Sequence, residues 1–349
     1  MEEIIIIGGG ISGLTTAYYL QKNNIPFVLL EAQNRLGGRI DTVLGKNQTP
    51  IEMGATWFSD AHQNLIGLLN ELEIPYFQQF TEGNSFFQSH SFIPPQVFFT
   101  PQAKEASYRV KDGTQAIIEK IAATIPSEKI KLDTKVIKIA DKADFIELTD
   151  NDGNLFQARK IVSTIPPQIL AESVEFAPTL PKEVSNLMAN VQTWMSGSIK
   201  FSLEYSEAFW RKNGFSGTIY SQSGMAVEVY DHSNFENDKF ALTGFLNGSA
   251  AIYSPQQREE IVSGEIKKLF GPETPEYLSY TDKIWDNEFI SIKNPIALRA
   301  HQNNGHPYLL ESYFNNKLHL AGTETDTHFP GYLDGAVASA MRVFGTLSS

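Results

Sequence analysis

Three glycines, at positions 8, 10 and 13, and a carboxylate at Glu31 are the first residues of this chain that can do chemistry together. In Gly8-Gly9-Gly10-Ile11-Ser12-Gly13 the first glycine permits a tight turn, and the second lets backbone approach a pyrophosphate. The third lets a helix pack closely on a strand. Glu31 follows at the spacing where a carboxylate accepts hydrogen bonds from ribose hydroxyls. A second pair of glycines then lies between two arginines, in Arg35-Leu36-Gly37-Gly38-Arg39. It offers another close backbone approach, with positive charge. The chemistry indicated is dinucleotide binding, which nicotinamide and flavin dinucleotides share.

A strand, a helix and a second strand must hold these residues. Ile4 to Ile7 is an unbroken β-branched run, as a buried parallel strand requires. The helix-like stretch from Gly13 to Gln21 directs unpaired N–H groups and its positive dipole end at a pyrophosphate. Phe27-Val28-Leu29-Leu30 forms the second strand, and Glu31 stands at its end. A plain structural turn with a surface glutamate is the alternative, but it leaves this common register unexplained.

Glu31-x-x-x-Arg35-x-Gly37-Gly38-Arg39 resembles the extended fingerprint of the flavin-dependent amine oxidase superfamily. That superfamily includes monoamine and polyamine oxidases, L-amino-acid oxidases, protoporphyrinogen oxidase and carotenoid desaturases. The resemblance implies FAD. Its contacts would be Gly8, Gly9, Gly10, Ile11, Ser12 and Gly13, then Glu31 (followed by Ala32) on the adenosine ribose. Gly38 and Arg39 would lie near the phosphates and flavin.

The run from Leu320 to Ala336 looks like the C-terminal signature of monoamine oxidases. It reads as a strand ending in Gly322, a polar loop, and a helix beginning at Gly331. A helix N-terminus aimed at the pyrimidine edge of a flavin stabilises the negative charge of reduction. By resemblance, Thr323 and Glu324 lie near the ribityl chain and pyrophosphate, and the Tyr332 and Leu333 backbone meets a flavin carbonyl. Gly331 and Ala336 complete that set, although Gly331 and Gly335 can also be packing glycines. Gly54-Ala55-Thr56-Trp57 matches the segment along the flavin, and Val136 the residue whose backbone reads adenine. Val136 also suits a strand core.

Two residues are expected to carry the redox chemistry. Lys200, in Gly197-Ser198-Ile199-Lys200-Phe201, resembles the lysine that holds a water against the reactive flavin nitrogen. A lysine in an apolar strand needs a partner or water when buried; an edge-strand lysine in solvent is the other reading. Tyr332 matches one of two aromatic positions flanking the amine path, where ring faces steer an amine or cation. The second position falls on Pro295, and the cysteine that bonds flavin in the family falls on Asn294. The two-ring cage is therefore incomplete, with Trp57, Tyr313 and Trp285 as possible replacement rings.

The 349 residues, 42% hydrophobic, suffice for one large core or two modest ones. A net charge of -12 argues against a nucleic-acid surface. The absence of cysteine excludes disulfides, thiolate metal sites, cysteine nucleophiles and a cysteinyl flavin link, and fits a reducing cytoplasm. No metal site is expected, because the histidines are scattered and His301 and His306 lack acidic ligands at metal-like spacing. The acidic start that enters a strand at once, and the lack of a long apolar run, lead us to expect no signal and no membrane anchor.

The expected fold class is α/β: a discontinuous Rossmann-like FAD-binding domain with an inserted α+β substrate domain on a mostly antiparallel sheet. By resemblance the FAD domain comprises residues 1–79, 108–189 and 286–349, and the substrate domain 80–107 and 190–285. Helices are expected from Asp60 to Leu72, Gln115 to Ala123, Lys182 to Ala189, Pro255 to Phe270 and Gly331 to Phe344. The function expected is oxidation of a small amine by non-covalent FAD: hydride transfer from the α-carbon, imine hydrolysis, and reoxidation by O2 with release of H2O2. Carbon–carbon dehydrogenation of the desaturase or porphyrinogen type, and flavin binding without amine turnover, remain alternatives. Acid denaturation of the purified protein should release all FAD into the supernatant; flavin retained on the polypeptide would reveal a link through another residue.

Overall fold

The computed structural model describes residues 1–285 and 298–348. Its first sheet grows from the β-branched start of the chain. Ile130–Lys131, Phe27–Leu30, Glu2–Ile7 and Leu155–Ser163 lie side by side and parallel, in that order. The C-terminal half of Leu155–Ser163 also pairs in parallel with Leu318–Leu320, so that Leu155–Ser163 lies between this late strand and Glu2–Ile7. The N-terminal half continues antiparallel into Ile146–Asp150 and Val136–Asp141.

Both faces of this sheet are covered, as the unbroken apolar strands demand. On one face Ile4, Ile6 and Leu29 pack with Leu14, Leu20, Leu68, Ile117, Ile121, Val337 and Val343. These come from helices Ile11–Lys22, Gln63–Glu71, Gln115–Ala122 and Leu333–Ser348. On the other, Ile5, Ile7 and Leu30 meet Leu170, Val184 and Met188. The last two belong to helix Lys182–Met188, and Leu170 to helix Pro167–Ser173. Pro167 opens the helix Pro167–Ser173, a position where its missing N–H costs nothing.

A second sheet follows the order Ser279–Ile284, Ile199–Tyr205, Phe240–Leu246, Ala226–Asp231, Phe215–Ser221, Gly83–Gln88, Gln96–Thr100. All its pairings are antiparallel except that of Phe215–Ser221 with Gly83–Gln88. Helix Pro255–Phe270 packs Val262 and Ile266 under it, and is started by a capping box between Ser254 and Gln257. Strand Ile199–Tyr205 lies inside the sheet, so Lys200 is not on an edge.

Two helix starts differ from expectation. The second helix begins at Gln63, not Asp60, and its cap comes from across the fold: buried Asp334 accepts from the Leu65 N–H at 2.8 Å and Asn64 Nδ2 at 2.9 Å. The last helix begins at Leu333 rather than Gly331, because Gly331 has φ of 88°, outside the helical region. No helix among the described residues is long and apolar enough to cross a membrane.

The first turn is closely packed. A Cβ on Gly13 would fall 1.9 Å from the Gly8 carbonyl oxygen. Gly13→Ala should therefore push helix and strand apart, lowering the melting temperature and abolishing FAD uptake. Unchanged FAD affinity would show that the loop can relax around the methyl group.

Candidate active site

The glycine loop and Glu31 touch directly. Glu31 Oε2 accepts from the Gly9 N–H at 2.5 Å, and Oε1 from the Gln33 N–H at 2.8 Å. Burial pushes the Glu31 carboxyl above the usual carboxylate range, opposed by these N–H groups and by Arg35. Ala32, next along, is exposed. The Gly37 N–H donates to the Gly9 carbonyl at 2.9 Å, so the two glycine motifs lie against each other. Arg35 directs its guanidinium to the carbonyls of Leu36, Gly38 and Ile40, bracing that turn rather than standing in solvent. Helix Ile11–Lys22 starts at Gly10 without a side-chain cap and without an acid in its first turn. That leaves N–H groups for an anion beside a bare glycine backbone. These residues fit a dinucleotide.

The C-terminal motif closes onto the same place. The Gly322 N–H is shared between Ser12 Oγ at 3.1 Å and Ser339 Oγ at 3.0 Å. Arg39 donates through Nη1 and Nη2 to Glu324 Oε1 and Oε2, at 2.7 and 3.0 Å. Glu324 is fully buried, whereas 27% of the Arg39 side chain is accessible. Thr323 Oγ1 donates to the Tyr332 carbonyl at 2.7 Å. Leu333 and Ala336 are buried under the start of the last helix. Val136 is buried in the core, on a segment whose Thr134 N–H donates to the Glu31 carbonyl at 2.8 Å.

Gly54 to Trp57 runs alongside Arg39: the Ala55 N–H donates to the Arg39 carbonyl at 3.1 Å. A Cβ on Gly54 would lie 2.2 Å from that carbonyl oxygen, so only glycine permits this approach. Onto this segment comes Lys200. It is 2% exposed, which removes the solvent reading. Its Nζ donates to the Gly54 carbonyl at 2.8 Å and to Thr56 Oγ1, and sits 4.8 Å from the Trp57 ring centroid. Burial drives the Lys200 ammonium down to about 7; Glu52 opposes this and Arg109 adds to it.

Tyr332 is 41% exposed. Its ring lies 5.3 Å from His62, 6.2 Å from His301 and 6.3 Å from Trp194, the last two nearly parallel to it. Trp194 and His301 stack at 4.2 Å, and the Trp194 carbonyl accepts from Arg39 Nη1 at 3.4 Å. Neither ring was singled out as a site residue from sequence, since both lie in loops without periodicity. Of the replacement rings considered, Trp57 faces Lys200 and Trp285 donates to the Met53 carbonyl at 2.6 Å. Tyr313 packs instead in the core beneath the first sheet. Asn294 and Pro295 lie outside the described residues.

The Arg39–Glu324 pair gives a direct test. Arg39→Met should leave a carboxylate buried without its cation, costing about 2–4 kcal/mol by urea unfolding, less than a fully buried pair because Arg39 is partly solvated. Adding Glu324→Gln should recover part of the loss; additive losses would mean that the two side chains act independently.

Comparison with known proteins agrees with this geometry. The family model for flavin containing amine oxidoreductases matches residues 11–92 and 76–343. A probable flavin-containing monoamine oxidase A of Dictyostelium discoideum is 23% identical, over 98% of this chain and 96% of that protein. That alignment runs over 447 positions, so the relative carries segments with no counterpart in these 349 residues. Cyclohexylamine oxidase from Brevibacterium oxydans IH-35A superposes with a TM-score of 0.86 at 19% identity, covering 99% of this chain and 98% of that one. Putrescine oxidase bound to putrescine gives 0.84 at 19% identity, covering 99% of each. With strand, glycine loop, Glu31 and the Arg39–Glu324 closure in place, the chain belongs to the flavin-containing amine oxidoreductases and is an FAD-dependent enzyme that oxidises amines.

Proposed function

We propose that the substrate is a small neutral amine, that O2 is the electron acceptor, and that Lys200 and Tyr332 serve the reaction. The observation that carries this reading is the burial of Lys200 against Gly54, Thr56 and Trp57, the segment that resembles the flavin-lining stretch of the family. FAD, when bound, would supply the two-electron redox chemistry that links oxidation of an amine to its imine, which water then hydrolyses, with reduction of O2 to H2O2.

The protein binds, orients and sets charge. Gly8 to Gly13, Glu31 and Ala32, Gly38 and Arg39, Gly54 to Trp57, Val136, Gly322 to Glu324, Gly331, Tyr332, Leu333 and Ala336 form the FAD cradle in this proposal. The cofactor is held non-covalently, in keeping with the lack of cysteine. Tyr332, half-open to solvent, offers a ring face that guides the amine. Near-parallel His301 and Trp194 supply aromatic surface beside it, where the sequence left the second ring unaccounted for. Residues 80–107 and 190–285 form the substrate domain, and the remainder the FAD domain. A cytoplasmic location completes the proposal, supported by the cysteine-free composition.

Lys200 holds a water and its proton close to the redox centre, and its positive charge stabilises negative charge developing on O2. The sign of the pH effect follows from burial. With its proton affinity brought down to about 7, Lys200 is a cation below that pH and neutral above it. Stopped-flow reoxidation by O2 should therefore slow as pH rises through about 7. Lys200→Met should bind FAD normally, reoxidise at least roughly tenfold more slowly at low pH, and lose this pH dependence. Anaerobic reduction by amine should change less. Reoxidation at the wild-type rate in Lys200→Met would overturn the assignment.

A further inference from the structure

Lys200 stands on the face of the second sheet turned away from helix Pro255–Phe270. Its neighbours Ile199 and Phe201 point to the helix side instead, where they share one core cluster with Val229, Ile219 and Phe86. Cross-strand partners share a face, so the strand register carries the Lys200 face across the sheet. Lys200 lies opposite Phe245, Phe245 opposite Glu228, Glu228 opposite Tyr220, and Tyr220 beside Phe87. Tyr230, two residues beyond Glu228, belongs to the same face.

Aromatic rings line this row. Trp57, over which Lys200 Nζ sits, lies 5.3 Å from Tyr230 and 6.2 Å from Phe245, and Tyr230 lies 6.1 Å from Tyr220. Tyr220, 39% exposed, brings the row out to solvent. Among these rings stands one carboxylate, half-buried Glu228. The other acids on the strands of this sheet have built-in partners. Glu204 accepts from Thr49 Oγ1 and, at 2.8 Å, from Ser279 Oγ. Asp231 pairs with Arg211 at 2.6 Å and Asp282 with Arg258 at 2.7 Å. Glu228 accepts from Tyr230 Oη at 2.9 Å and has no cationic partner among the described residues. A carboxylate can accept about four hydrogen bonds. Glu228 thus keeps acceptor capacity open, among rings whose faces attract cations.

We propose that Glu228 is the subsite for a second, positively charged nitrogen of the substrate, so that the substrate class is an aliphatic diamine or polyamine. The inference rests on the proposed reaction site at Lys200 and the Gly54–Trp57 segment, and adds what holds the substrate's far end. The reacting amine is neutral and lies at that segment, while the remote ammonium meets the Glu228 carboxylate and the faces of Tyr220 and Tyr230. Two strand spacings separate Glu228 from Lys200, roughly 10 Å along the sheet. The two nitrogens are therefore joined by several methylene groups, which run over Phe245 and Trp57. A monoamine of equal length would instead press an apolar end against a carboxylate that needs a donor.

The test follows anaerobic flavin reduction by stopped flow in FAD-loaded protein, with unbranched diamines and monoalkylamines of matched length as probes. In wild type, the limiting reduction rate divided by the half-saturating concentration should be at least roughly tenfold higher for the best diamine than for its matched monoamine. That preference should peak at one spacer length. In Glu228→Gln the ratio should fall toward one, through a rise in the half-saturating diamine concentration rather than a lower limiting rate. An unchanged ratio in Glu228→Gln overturns the inference, as does a wild-type flavin that no diamine reduces better than the matched monoamine. If Glu228→Gln does not fold, the wild-type length series decides: a peak for diamines that monoamines lack supports the subsite, and a flat profile overturns it. Reduction is read without O2, so these outcomes are independent of the role given to Lys200. That parent reading falls on a different result, reoxidation at the wild-type rate in Lys200→Met.

Discussion

The Arg39–Glu324 ion pair joins an early and a late part of this chain. Glu324, with no accessible surface, is met by Arg39 with two hydrogen bonds, which offset the cost of burying a carboxylate. Arg39 belongs to the second glycine motif and Glu324 to the C-terminal one, so neither motif is complete alone. The shared Gly322 N–H, held between Ser12 and Ser339, fixes the same join from the other side. Parallel pairing of Leu155–Ser163 with both Glu2–Ile7 and Leu318–Leu320 makes this meeting possible, since it delivers both loops to one edge of the sheet. A ligand placed there contacts residues more than three hundred positions apart, and its binding stabilises the whole first layer.

Much of that layer was legible in the sequence, for physical reasons. Unbroken β-branched runs can only be strands buried on both faces, and glycines at that spacing have few other uses. Ile4 to Ile7, Phe27 to Leu30 and the helix between them stand where the pattern put them. The helix Pro255–Phe270 was also legible, because proline and glycine punctuate it locally. What the sequence could not carry were partners distant along the chain. Asp334 capping the helix that begins at Gln63 is one case. The Glu52 backbone meeting His232 Nε2 at 3.3 Å is another. Periodicity records which face a side chain uses, not which far segment waits there. The scattered histidines were expected to be ordinary surface or hydrogen-bonded residues, and His62, His232 and His319 are buried and hydrogen-bonded.

The chemistry divides between two kinds of burial. At the dinucleotide end, charge is matched pair by pair and further stabilised by backbone N–H groups, which rigidifies the cradle. Around Lys200 the matching is deliberately incomplete: the hydrogen bonds found for its Nζ go to neutral oxygens, and its flanks are Trp57 and Phe245. A lysine locked in a short ion pair could neither give up a proton near neutral pH nor exchange its hydrogen bonds with water. The structure avoids that lock, and small changes in the surrounding charges decide the protonation state. The rings around Tyr332 thus lie in loops, whereas Lys200 is held on an inner strand of the second sheet against the segment that follows strand Pro50–Glu52.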